Sequence, residues 1–311
     1  MVLLFALTAL AGDWEATALV GGEFNRDSHG IVMAGLRSGP VSVVLNTDTL
    51  AAVVENEGEH GRWWAQAKGQ SGVAGMFLFP WTEGAKDPSM GLSAFTLGAD
   101  VGAVRYLGHG LYGGGWAGVH YWRFGGTDAT VIDVPDARPV LTSRAVVGYW
   151  SERLSVDAQG GVSIDAGELV PQLSVVVVAR TNGFFRPVAE LRAGVSSNVT
   201  PITATRLGGL NPYVIPLAGA AWAEFRVDDY AVARVGPGVA MEHWHAAAFT
   251  DLAWFDGRGA VGIGGLGTYM TGPWTVTLIG GVSPWLDRPQ GLAGTVYASV
   301  GHDWRGFGKG G

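Results

Sequence analysis

The sequence predicts an all-β fold: a transmembrane antiparallel up-and-down β-barrel of about 14–16 strands. Three observations predict it. Charged residues make up 15% of the chain, where soluble domains carry about 25%. No apolar run reaches the roughly 20 residues that a membrane-spanning helix needs. Apolar and polar residues alternate with period two, in segments of about 10 residues, the length of a tilted spanning strand. A chain this poor in charge must bury a very large core or face lipid. Lipid offers no hydrogen bonds, so every backbone N–H and C=O has to be paired internally. With no spanning helix, a closed sheet is the solution that remains. The 50 glycines and 13 tryptophans suit closely packed barrel strands with aromatic girdles.

The elements follow in chain order. Met1–Gly12 is apolar and ends in Ala9-Leu10-Ala11, a small-x-small pattern. It reads as a signal peptide cleaved after Ala11, although no basic residue precedes the apolar stretch; a buried first strand is the alternative. The barrel is expected over residues 12–307, with 308–311 as a short tail. In the first strand, Trp14, Ala16, Ala18, Val20 and Phe24 share one face, and Glu15, Thr17, Glu23 and Asn25 share the other. Arg62, Gln66 and Lys68 oppose Trp63, Ala65 and Ala67. Ser155, Asp157, Gln159, Ser163 and Asp165 oppose Leu154, Val156, Ala158, Val162 and Ile164. Arg186, Glu190 and Arg192 oppose Phe185, Ala189, Leu191 and Val195, and Glu224 and Arg226 oppose Ala223, Phe225 and Val227. Aromatic girdles are expected at Trp14, Phe24, Tyr149, Trp150, Trp254, Phe255 and Trp304.

Tight turns are expected at Ser38-Gly39-Pro40, Ser151-Glu152, Asp228-Asp229, Asp256-Gly257 and Thr271-Gly272-Pro273. Longer connections fall near Pro80–Ser93, Gly126–Val140 and Ser196–Gly219. The last of these has one charge, Arg206, among many apolar residues. An extracellular loop in solvent would be more polar, so this composition fits a loop folded into the lumen. Arg206 then needs a carboxylate, with Asp251 and Glu224 as candidates, unless it is solvated at the loop base.

Several kinds of chemistry are excluded or lack support. There is no cysteine, which removes disulfides and thiolate metal sites. A net charge of −7 gives no electrostatic basis for nucleic-acid binding. His243 and His245 would share a strand face, but Glu242 would point away from both. Neither Gly113-Gly114-Gly115 nor Gly208-Gly209 is followed by the lysine or helix of a phosphate loop. No nucleophile elbow accompanies the serines. Neither an enzyme nor a cofactor is expected. Arg144, Asp157, Arg186, Glu190, Arg192, Glu224, Arg226, Arg234 and Asp251 form a mixed-sign set on the expected inner face, suited to ion-pair ladders or to lining a pore.

Three C-terminal stretches carry a family resemblance: RLGGLNPY (Arg206–Tyr213), FTDLAWFDG (Phe249–Gly257) with the glycine-rich strand after it, and TVYASVGHDW (Thr295–Trp304). Their order and spacing resemble the C-terminal barrel of the BamA/TamA-type bacterial surface antigen family. The resemblance implies an outer-membrane barrel with an inward-folded loop, working in protein insertion or transport across the outer membrane. The alternatives are a passive porin-like channel and a structural outer-membrane protein. It also implies a site built from the lumenal loop and inner wall: Arg206, Gly208, Gly209, Tyr213, Glu224, Arg226, Phe249 and Asp251. Outer-membrane lipid and an unfolded or secreted protein substrate are the implied partners. Two departures are evident. The family's periplasmic modules have no room before Trp14, so a separate periplasmic partner is expected to supply them. The family's loop tip is Arg-Gly-aromatic, whereas Leu210-Asn211-Pro212-Tyr213 lacks that arginine. An insertion-type barrel is further expected to have a weak seam between its first and last strands.

Overall fold

The computed structural model describes residues 14–307 apart from 25–28, 48, 73–80, 83–84, 87–88, 90, 127, 129, 201, 211–214, 222 and 287–293. The expected signal peptide and the C-terminal tail lie outside these residues. Sixteen antiparallel strands close into an up-and-down barrel. They are β1 (Trp14–Phe24), β2 (His29–Ser38), β3 (Val41–Asn46), β4 (Thr49–Gly58), β5 (Gly61–Gly72), β6 (Leu92–Gly108), β7 (Leu111–Gly126) and β8 (Arg138–Trp150). There follow β9 (Leu154–Asp165), β10 (Glu168–Ala179), β11 (Val188–Ser196), β12 (Asp229–Gly236, resuming past Pro237 as Gly238–Ala240), β13 (Trp244–Phe255), β14 (Arg258–Thr271), β15 (Trp274–Trp285) and β16 (Gly294–Phe307). No helix among the described residues is long and apolar enough to cross a membrane.

The ring is closed by β1 and β16, which pair from Trp14 opposite Phe307 to Phe24 opposite Val296. One irregularity falls between Trp14 and Glu15; beyond it the ladder is continuous. The expected weak seam is therefore absent: β1 is paired along its whole length, and no sheet edge is left open there.

Strand alternation sorts the side chains as the period-two pattern requires. Val20, Leu97, Val101, Val147, Leu173 and Leu278 lie exposed on the outside. Glu23, Asp100, Asp165, Arg234, Asp251 and Ser299 are buried on the inside. Trp244 and Trp254 are 53% and 49% exposed at opposite ends of β13, and Trp274 and Trp285 repeat the arrangement on β15. Phe255 is not part of a girdle. It points inward and packs against Phe225, ring centroids 4.9 Å apart.

The two ends of the barrel differ. Both chain termini and most short turns share one end, called here the terminal end. The longer connections lie at the other, the loop end. Two-residue turns are built from left-handed backbone, as at His109-Gly110 (φ 52° and 81°) and Asp256-Gly257 (φ 46° and 77°). Such turns match the twist of the strands that they join.

The alternating segment expected as a wall strand near residues 223–227 is not in the wall. Phe225–Val227 pairs with Thr205–Leu207 as a two-stranded ribbon, separate from the barrel sheet. Both belong to the connection between β11 and β12, which turns into the lumen. Its two ends meet where the Ser196 N–H and hydroxyl both donate to the Asp228 carbonyl, at 2.8 and 2.9 Å. Asp228-Asp229 is thus the exit of the loop rather than a hairpin turn.

Candidate functional site

The loop between β11 and β12 reaches the wall on several sides. Near its start, the Thr200 hydroxyl donates to Asp165 on β9 at 2.5 Å, and Ile202 packs with Trp122 and Phe124 of β7 against the buried Leu92–Ala94 cluster on β6. Gln172 on β10 donates to the Thr203 carbonyl at 2.6 Å. The ribbon places Leu207, Phe225 and Val227 against Tyr230, Val232, Ala253 and Phe255 of β12 and β13. Leu210 and Ala218 pack with Ile31, Phe249 and Tyr297, joining β2, β13 and β16. Fully burying each large apolar side chain is worth about 2 kcal/mol. That gain is non-directional: it draws the loop in without fixing which atoms face which.

Position is fixed by hydrogen bonds, and the main ones use loop backbone. The Leu210 N–H donates to Glu23 Oε2 on β1 at 3.0 Å. The Ala218 N–H donates to Asp251 Oδ2 on β13 at 2.7 Å. The Ala220 carbonyl accepts from the Thr295 hydroxyl on β16 at 2.7 Å. Inside the loop, the Ala221 N–H donates to Glu224 at 2.6 Å. Glu23, Asp251 and Glu224 are all 0% exposed, where an unsatisfied carboxylate would be costly.

Asp251 is held from the wall as well. Arg234 on β12 donates to both of its oxygens, at 2.6 and 2.8 Å. The Arg234 guanidinium lies 4.1 Å from the Phe249 ring centre. Strand register makes this possible, because Arg234 is directly opposite Asp251 and Phe249 is two residues along the same face. The Phe249 ring in turn lies over Gly264, where an added methyl would come within 2.5 Å of it. Packing, ion pair and cation–π contact therefore fix one another.

The predicted residues fall out as follows. Gly208 and Gly209 adopt φ of 120° and 97° and turn the chain back after the ribbon, so that the Gly208 N–H reaches the Ile215 carbonyl at 2.9 Å. Glu224, Phe249 and Asp251 are buried in the loop–wall contact. Arg206 and Arg226 face one another across the ribbon. Burial pushes the Arg206 guanidinium down to about 10, and the neighbouring Arg226 adds to the effect. Asp251, one of the two carboxylates expected for Arg206, is taken by Arg234 and the Ala218 amide instead. Tyr213 lies outside the described residues. Five residues not named for the site complete it: Glu23, Arg234, Gly262, Gly281 and Thr295. Strand parity was the sequence signal for Glu23, and Thr295 opens one of the stretches that carry the family resemblance.

Below the loop the wall is polar. Asp100 contacts Lys68 at 3.2 Å, His120 at 3.0 Å and Gln66 at 2.6 Å. Tyr112 donates to Asp157, Arg192 pairs with Glu190, and Arg144 donates to Gln172. Glu15, Glu57, Arg62, Arg180 and Arg186 are exposed toward the terminal end. The lumen is thus a solvated vestibule at that end and a packed interior near the loop end. His243 and His245 diverge: His243 meets Tyr269 edge-on, and His245 lies 3.3 Å from the Arg186 carbonyl.

No family model matches the chain, and no curated protein matches its sequence. Solved structures do match its shape. BamA from Haemophilus ducreyi lacking POTRA domains 1–3 aligns with a TM-score of 0.65 and 9% identity, over 93% of this chain and 70% of that one. CdiB from Acinetobacter baumannii aligns at 0.62 and 11%, over 94% of this chain. CdiB from Escherichia coli aligns at 0.61 and 11%, over 94%. The fold is that of the BamA and CdiB barrels. The chain spans 60% and 63% of the two CdiB chains. The similarity therefore covers a BamA/TamA-like barrel as a shape, with little sequence in common.

Proposed function

We propose that the chain is a bacterial outer-membrane barrel of the translocation type, which inserts or passes polypeptide and rests with its lumen closed by the β11–β12 loop. The loop carries the reading: it crosses the lumen and is held on β1 and β13 together, as a stopper must be. Membrane residence is supported by the outer face. Trp244 and Trp254 are ten residues apart, about 33 Å along a strand and roughly 25 Å along the axis of a barrel tilted near 45°. That is the height of an outer-membrane hydrocarbon band, and the outward side chains between the tryptophans, Ala246, Ala248, Thr250 and Leu252, carry no charge. The terminal end, with its short turns, faces the periplasm in this reading, so the vestibule opens toward arriving substrate.

Planar-bilayer recording tests the reading. The intact chain should conduct rarely, and replacing residues 198–227 with a short Gly-Ser linker should open a steady conductance. If the intact protein conducts as well as the loop-less one, it is a passive channel and the stopper reading fails. Outer-membrane fractionation with heat-modifiable gel mobility checks residence independently.

A further inference from the structure

The inner wall from β8 to β12 gathers hydrogen-bond donors around one stretch of β10. Arg144 on β8, Gly161 on β9 and Gln172 on β10 are in register on one face. With no side chain at Gly161, the Arg144 guanidinium crosses β9 and donates to the Gln172 side-chain oxygen. A mirrored arrangement comes from the other side. Ser174 on β10, Gly194 on β11 and Tyr230 on β12 are in register, two residues along the same face. The Tyr230 ring leans over the bare Gly194: a methyl added there would lie 2.6 Å from the ring and 2.9 Å from the hydroxyl oxygen. Tyr230 is within electrostatic reach of Arg144, and of Arg192 as well.

These donors are short of acceptors. Among the described residues no carboxylate pairs with Arg144; its partner is the neutral Gln172 amide. Arg192 is matched by Glu190, so that pair brings no net charge to the place. Nothing among the described residues accepts from the Tyr230 hydroxyl. Arg144 is half-buried and Tyr230 is buried. A desolvated guanidinium in neutral company is costly unless a counter-charge reaches it. A carboxylate or phosphate supplies both the charge and the acceptor oxygens. The guanidinium N–H groups beyond the one given to Gln172 are there to bind it, in charge-assisted hydrogen bonds.

We infer that Arg144 and Tyr230 form a lumenal binding site for a small oxyanion, a carboxylate or a phosphate, that enters from the vestibule. The site borders the loop, because the Gln172 amide that receives Arg144 also donates to the Thr203 carbonyl. It stands whether or not the chain moves polypeptide.

The probe is inorganic phosphate, followed by its phosphorus NMR line width with the intact barrel in a phosphorus-free detergent. Sodium chloride holds the ionic strength constant. The line should broaden saturably with the wild-type chain. Reversal of the broadening by acetate assigns the site to carboxylates as well, and its persistence assigns the site to phosphates alone. Arg144→Met and Tyr230→Phe should each weaken binding by about tenfold or more, since hydrogen bonds to a charged group are the strong ones. Arg144→Lys, which keeps the charge, should recover part of the loss. Arg37→Met removes an exposed arginine paired with Glu55 and should bind like the wild type. Heat-modifiable mobility confirms that each variant is folded. If Arg144→Met does not fold, Tyr230→Phe, the removal of one oxygen, carries the test. Broadening that does not saturate, binding left intact by either site variant, or an equal loss from Arg37→Met overturns the site.

Discussion

At the scale of single residues, the ion pair between Arg234 and Asp251 is the most exacting feature of the site. Both side chains are buried, and removing one partner from such a pair costs about 3–5 kcal/mol by stranding the other charge. Arg234→Met should therefore lower the unfolding free energy of the vesicle-embedded barrel by that order, seen as a lower urea midpoint by tryptophan fluorescence. Adding Asp251→Leu should recover most of the loss. A midpoint that does not move would mean that Asp251 is hydrated and the loop does not seal it. Both residues stood on the inward face by parity, and Phe249 and Asp251 were named from a motif. Their connection was not legible, because it depends on β12 and β13 being hairpin neighbours in one particular register. With residues 223–227 read as a wall strand, that register was hidden. Asp251 was one of two carboxylates, with Glu224, expected for Arg206, the only charge in a loop read from sequence. The fold brings Arg234 there instead, seventeen residues before Asp251 in the chain.

Among elements, the wall strands were the most legible part, since period two and turn chemistry are local properties. Ser163 and Asp165 point inward, and Val162 and Ile164 outward, as their alternation required. Phe225–Val227 shows the limit of that logic. Alternation marks an extended segment with two unlike faces, and an inward ribbon has those too. Its apolar face meets the wall from within instead of forming part of the outer surface. The seam was misjudged for a different reason: pairing strength between β1 and β16 is a long-range property that neither strand states alone. Val20 and Val300 are directly opposite, and cross-strand Cα separations of about 4.5–5.5 Å suit a disulfide. Cysteines at both positions should crosslink nearly completely in membranes, scored on gels after oxidation. Little or partial crosslinking would show that β1 and β16 part at rest.

For the whole molecule, charge content and strand length foretold a closed sheet with an apolar outer face, and the same two quantities make a test of the surroundings. Val101 is exposed near the middle of β6 and belongs to the outer face. Val101→Arg should destabilise the barrel by about 2–4 kcal/mol in lipid vesicles. In water an exposed valine-to-arginine change is nearly neutral, so a stability loss below about 0.5 kcal/mol would place this face in solvent. What composition could not convey is that the cylinder is filled at one end and wet at the other. That asymmetry comes from one long connection folding inward, a choice made by packing partners scattered over most of the ring.

The hydrogen bonds from Ser196 to Asp228 have a mechanical consequence. They clip the loop's departure and return to adjacent staves, so its covalent attachment to the ring lies at one place. Under the translocation proposal, a hatch on that attachment alters the bore without altering the hoop, and every stave keeps both neighbours.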